Sequence, residues 1–326
     1  MNSLVCLSLI FLSAIAGEKS IFGGDNRVVM SSRVFPWSAI GKLEGKDSEG
    51  PSHCTATLVG RDILLTNSHC VHDESGRLKT DLEFHANVIS GVAIIKSKAR
   101  LIVAGHKNWG DHPDLDWALL RLDRPLGEAL GFMTIAERTE LGSGVTLAGY
   151  SGDFQAARSA GVHQDCELKR LINRETMVFH DCDMTKGSSG SAIFRLKEGA
   201  PIIHALNSAQ RKARDRHPEW KEEISNLSVP TMAYYNAWLS ALNEMGAKSE
   251  TALIICNQSS SQIRTETLWY SSNGVSKGAK LSLGSNRCKE FKIPKELLGQ
   301  SASLALISGQ VLGEITPHKM QRFDLN

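Results

Sequence analysis

Three short segments set the strongest constraint on this chain: Thr66-Asn67-Ser68-His69-Cys70, Leu115-Asp116-Trp117-Ala118-Leu119-Leu120-Arg121-Leu122 and Lys186-Gly187-Ser188-Ser189-Gly190-Ser191. A histidine, a carboxylate and a serine follow in that order, each among neighbours that suit one role in acyl transfer. A serine hydroxyl is a weak nucleophile at neutral pH and needs a base beside it. An imidazole can take that proton and return it to a leaving amine. A buried carboxylate on the far ring nitrogen fixes the tautomer and stabilises the imidazolium. His69, Asp116 and Ser189 are the expected members, and a fold that uses them must bring three distant loops to one point.

The flanking residues agree with that requirement. Ile63 to Thr66 is a short apolar run of the kind found in buried strands, and it delivers His69 at its end, where a loop can open onto a cleft. Asp116 is followed by apolar residues, which places the carboxylate at the mouth of a buried strand. Gly187 and Gly190 bracket Ser188 and Ser189, where a tight turn needs backbone freedom. The N–H groups of Gly187 and Ser189 are then the expected oxyanion hole, in which losing one donor typically costs about 2.7–4 kcal/mol.

On these segments, together with Cys54-Thr55-Ala56-Thr57-Leu58, the chain resembles the chymotrypsin-like (trypsin clan) serine proteases, most closely their bacterial V8-like or glutamyl-endopeptidase branch. The resemblance implies an all-β fold of two six-stranded antiparallel β-barrels, with the triad at their junction and a C-terminal helix. Met232 to Leu242 has apolar residues at helical spacing, with Gly246 where a C-cap would stand. The resemblance also implies a Cys54–Cys70 disulfide. Neighbour pairing then joins Cys166 to Cys182 and Cys256 to Cys288. In the trypsin branch of this clan an aspartate before the nucleophile receives the amine freed on activation. Here that position is Ser188, although Ile21-Phe22-Gly23-Gly24 resembles the freed N-terminus.

Specificity rests on the same resemblance. The residue six before the nucleophile, Asp183, falls at the base of the primary pocket, where an unpaired carboxylate selects Arg or Lys. The opposing reading turns Asp183 away to satisfy loop amides. The glutamyl branch uses a histidine on the strand after the serine. Asn207 takes that place, beside Ser208, with His204 three residues early. The expected function is a secreted endopeptidase acting on protein or peptide substrates with Arg/Lys preference. A glutamyl endopeptidase is the alternative, and so is an inactive homologue that works as a binding or adhesion protein.

Composition excludes other classes. A net charge of +2 with 22% charged residues offers no polybasic tract for nucleic acid. Residues 1–16 have the apolar run and small-x-small end of a cleaved signal peptide, with 17–20 as a short propeptide, so a secreted or periplasmic location without stable membrane insertion is expected. Six cysteines beyond Cys6 fit an oxidising compartment. The spacing of His53, His72, His85, His106 and His112 matches no zinc pattern, and neither metal nor cofactor is expected. Residues 21–245 form the expected protease domain and 246–250 a linker. Residues 251–326 are expected to form a small β-sandwich-like unit with strands at Ala252–Cys256, Thr265–Tyr270, Lys280–Leu283 and Ser303–Ile307. For that unit an unidentified ligand and a purely structural role stand side by side. Two N-x-S sequons, at Asn226 and Asn257, complete the pattern.

Overall fold

A computed structural model describes residues 21–210, 218–271, 274–291, 293, 302–308 and 310–325. The expected signal peptide and propeptide, and residues 211–217, lie outside the described residues.

The first barrel closes from six strands, Ile40–Asp47, Gly50–Leu58, Ile63–Thr66, Thr80–Ala86, Lys96–Ala104 and Ala118–Leu122. Its central strand Ile63–Thr66 is buried throughout, because it is paired on both edges and covered on both faces. Thr66 stands opposite Ala118 in an antiparallel pair. That register carries His69, just past one strand end, to Asp116, just before the start of the other. Sequence position alone separates these residues widely; strand pairing puts them together.

The second barrel closes through Gly142–Gly149, Gly161–Ile172, Met177–His180, Asn226–Pro230, Ala200–Gln210 and Ala192–Lys197, which returns to Gly142–Gly149. Two short strands, Val28–Val29 and Thr134–Ile135, add to its edges. Together these form the chymotrypsin-like two-barrel fold. Disulfides join Cys54 to Cys70 and Cys166 to Cys182, each closing a loop of 16 positions, a size for which chain entropy gives roughly 3 kcal/mol.

The helix runs over Tyr235–Asn243, after a 3-10 turn at Thr231–Ala233. Trp238 is buried and donates its indole N–H to Val59 O at 2.7 Å, fixing the helix on the first barrel. Gly246 is not its C-cap, which is Glu244. A Cβ at Gly246 would lie 2.6 Å from Asp62 Oδ2, so close packing explains this glycine. Arg121, within the apolar run, is 2% exposed and bonds Asp62 Oδ1 at 3.1 Å and the helix carbonyl of Ala241 at 3.0 Å. A cation suits that helix end. Between Pro218 and the strand Asn226–Pro230 lies a 3-10 turn at Glu222–Ile224.

The C-terminal unit is a sandwich of a three-stranded and a four-stranded sheet. To the four expected strands it adds Arg287–Phe291, Val311–Ile315 and Met320–Leu325. Cys256 and Cys288 are bonded across the first sheet. Both sequons are buried: Asn226 Nδ2 donates to Cys182 O, and Asn257 Nδ2 is held by Ser261, Leu283 and Gly284 carbonyls.

Candidate active site

His69 and Asp116 meet as the register requires. His69 Nδ1 lies 2.7 Å from Asp116 Oδ2, and the His69 backbone N–H donates to Oδ1 at 3.0 Å. The Ser208 hydroxyl donates to Oδ2 at 2.6 Å, and Asn67 Nδ2 holds the Asp116 carbonyl at 2.6 Å. Burial opposes ionisation of Asp116, but the His69 ring, the Ser208 hydroxyl and the His69 amide outweigh it. Its carboxyl therefore sits below the ordinary carboxylate range. With Nδ1–H committed to Asp116, Nε2 is the acceptor left for a hydroxyl. The Trp109 ring packs on His69, with centroids 5.3 Å apart.

Ser189 rests on a turn gripped from both barrels. From the first, Thr55 donates its N–H to Ser189 O at 2.8 Å and its hydroxyl to Gly187 O at 3.0 Å. From the second, Asn207 Nδ2 donates to Ser188 O at 2.9 Å, and Gly190 N–H donates to Asn207 O at 3.0 Å. Gly187 and Gly190 have φ of +101° and +81°. A Cβ at Gly190 would meet Thr55 O at 2.2 Å, and one at Gly187 would meet Tyr150 O at 2.5 Å, so neither position admits a side chain. The Ser188 N–H is bonded to Thr185 O. Among the described residues, the N–H groups of Gly187 and Ser189 have no acceptor.

His69, Asp116, Ser189 and Ser208 line one cleft of about 560 Å³, walled by Trp109, Met184 and Lys186 among others. Two expected substrate contacts do not reach it. Asp183 is fully buried with its carboxylate turned from the cleft, accepting the Phe22 and Asn26 N–H groups at 2.9 and 2.8 Å. Burial pushes its carboxyl up, and those amides pull it back only partly. Asn207 is fully buried and spans from the serine turn to His180, whose Nε2 lies 3.2 Å from Asn207 Oδ1. His204 is buried, with Nδ1 accepting the Glu140 N–H. Ser208 does line the cleft, but its hydroxyl is spent on Asp116.

Thr55, Trp109 and Lys186 had no role expected from the sequence. Thr55, next to Cys54 in the first segment of the resemblance, was the nearest to a visible signal. Among the described residues, one group of potential metal-ligand atoms lies close together, Cys54, His69 and Cys70. Its two sulfurs are joined to each other, so it is no ligand set.

A histidine–carboxylate pair from one barrel and a serine turn from the other thus line one cleft, and the chain is similar to known proteins in the following respects. Residues 54–202 match the trypsin-like peptidase domain family. Serine protease 23 of Rattus norvegicus is 26% identical over 209 residues, covering 54% of this chain and 51% of the relative. The chain thus spans about half the length of that curated relative. Among solved structures, a Glu endopeptidase is 20% identical with a TM-score of 0.56, covering 69% of this chain and all of that one. The thermostable serine protease AL20 from an extremophilic microorganism is 19% identical with a TM-score of 0.53, covering 64% and 99%. At these identities the structural likeness speaks to fold.

Proposed function

We propose that this protein is a serine endopeptidase that forms an acyl-enzyme on Ser189. The observation that carries the reading is the Ser208–Asp116–His69 chain sharing one cleft with Ser189, on a turn whose Gly187 and Ser189 N–H groups have no acceptor among the described residues. His69 Nε2 takes the Ser189 proton as the hydroxyl attacks a peptide carbonyl. Asp116 stabilises the imidazolium, and the Gly187 and Ser189 amides stabilise the oxyanion. The imidazolium then protonates the leaving amine, and water repeats the sequence to release the acid. Three disulfides support action in an oxidising, extracellular or periplasmic setting. Among the described residues no helix is long and apolar enough to cross a membrane.

Preference for Arg or Lys through Asp183 loses its support, because that carboxylate is occupied on the far side of the cleft wall. The exposed cation of the wall is Lys186, which has no ion-pair partner among the described residues. It opposes basic side chains and favours acidic ones, which moves the specificity reading to the glutamyl alternative. The test incubates the protein and Ser189→Ala with a diverse peptide mixture and reads cleavage sites by mass spectrometry. Serine-dependent cuts, depleted after Arg and Lys, are expected. Absence of serine-dependent cutting would overturn the reading in favour of an inactive binding homologue.

A further inference from the structure

The segment just before the first barrel is bound to the cleft wall at two points, and neither point belongs to the triad. At the first, Asp183 accepts the Phe22 N–H at 2.9 Å, the Asn26 N–H at 2.8 Å and Asn26 Nδ2 at 3.1 Å. Ile21 and Phe22 are 1% and 8% exposed, and Gly23 N–H donates to Pro218 O. At the second, the buried Arg27 guanidinium binds Asp153 through two bonds of 3.0 and 2.7 Å, and binds Asp25 as well. Asp153 in turn accepts the hydroxyl of Thr185. Met184 and Thr185, directly after Asp183, line the cleft, and Thr185 O holds the Ser188 N–H of the nucleophile turn.

Resting on the peptidase reading above, we propose that residues 21–27 are a strap whose docking on Asp183 and Asp153 sets the cleft wall, making Asp183 a positioning residue for catalysis. A fully buried carboxylate is costly unless its oxygens are bonded. Remove the strap and, among the described residues, Asp183 keeps only His163, whose Nδ1 lies 3.4 Å from Oδ2 and already accepts the Asp183 N–H at 2.8 Å. The carboxyl then either takes up a proton or turns toward solvent, and either change loosens the segment that carries Met184 and Thr185 into the cleft. Ser188, the residue before the nucleophile, takes no part: its hydroxyl faces Ser191 at 3.1 Å. The strap's donors are internal amides, so the latch needs no newly freed amine.

The test uses the full chain with Asp183→Ala, Asp183→Asn and Arg27→Met. It measures the rate of fluorophosphonate labelling at Ser189, kcat and KM on a cleaved peptide, and the thermal midpoint, with kinetics run well below that midpoint. Asp183→Ala is expected to lower kcat/KM and labelling by about tenfold or more while folded, the rate equivalent of unpaired buried donors. Asp183→Asn, which keeps one acceptor oxygen, should recover part of the loss. A purely structural role would lower the midpoint alone, so labelling and kcat/KM within about twofold of wild type in folded Asp183→Ala overturn the strap. If that variant does not fold, Arg27→Met decides by the same criterion. If the wild type itself does not label, the peptidase reading fails first. Hydrogen exchange at Met184–Gly187 then decides the strap, with faster exchange in the variants supporting it and unchanged exchange refuting it.

Discussion

His180 makes the serine turn sensitive to acid. The imidazole is fully buried, and burial pushes its pKa down to about 4, with the nearby His163 adding to the effect and Asp181 and Asn207 opposing it. An unfolded histidine titrates near 6.5, so the unfolded chain binds this proton first and the folded state loses stability as pH falls. The gap of roughly 2.5 units corresponds to about 3 kcal/mol, with about 2 kcal/mol gone by about pH 5 and the remainder by about pH 4. Asp116, held low, loses its contribution only in more acidic solution. Asp183, held high, acts in the opposite sense, stabilising the fold as pH falls. His180→Gln keeps a donor for Asn207 without the titration, so subtracting its urea-unfolding free energies from wild type at about pH 7, 5 and 4 isolates the His180 contribution. Parallel loss of stability in wild type and variant over that range would show that His180 is not the acid-sensitive group.

Other perturbations read different parts of the site. Ser208→Ala leaves Asp116 with its two His69 bonds but removes the 2.6 Å hydroxyl donor. A bond to a charged group at the low end of its range predicts a fall of about tenfold in kcat/KM by steady-state kinetics, and an unchanged value would reduce Ser208 to packing. Gly149→Ala puts a Cβ 2.1 Å from Ser188 Oγ and 2.3 Å from Ser191 Oγ. The overpacked turn should cost about 1–3 kcal/mol in thermal unfolding and slow Ser189 labelling, whereas a wild-type melt would mean the turn yields freely. Replacing Cys166 and Cys182 together by Ala opens a loop of 16 positions and should lower unfolding free energy by about 3 kcal/mol. Equal denaturant midpoints would show that the bridge contributes nothing.

The barrels were implied by the resemblance, whereas the His69–Asp116 meeting was legible because apolar runs locate strand ends, and paired strands carry their flanking residues together. Direction of a side chain was not. Asp183 is placed by its distance from Ser189, but its orientation is decided by Phe22 and Asn26, 161 and 157 positions away. Asn207 likewise sits at the expected strand position yet faces the interior, because the serine turn and His180 supply its partners there. Arg121 interrupts the apolar run without leaving the core, since Asp62 and a helix end await it. In the C-terminal unit the missed strands Arg287–Phe291 and Val311–Ile315 are mostly exposed or half-buried, so they lack the apolar alternation that marks a strand.

Strand Ala252–Asn257 explains why the C-terminal unit cannot be a loosely tethered module. All six residues are buried, and they face two cores in alternation: Leu253 and Ile255 pack in the sandwich, while Ala252, Ile254 and Cys256 join the core of the barrels. Arg33 seals the same junction. It is 1% exposed and donates to the carbonyls of Asn286, Asn87 and Val92, and burial, reinforced by Arg287, pushes its pKa down to about 10. Swinging the unit away would expose apolar faces and strip acceptors from a guanidinium, so sandwich and first barrel move as one body. A ligand of this unit would therefore act through its outer surface rather than through hinge motion. The four-stranded sheet and its turns present exposed Tyr270, Ile307 and Val311 there.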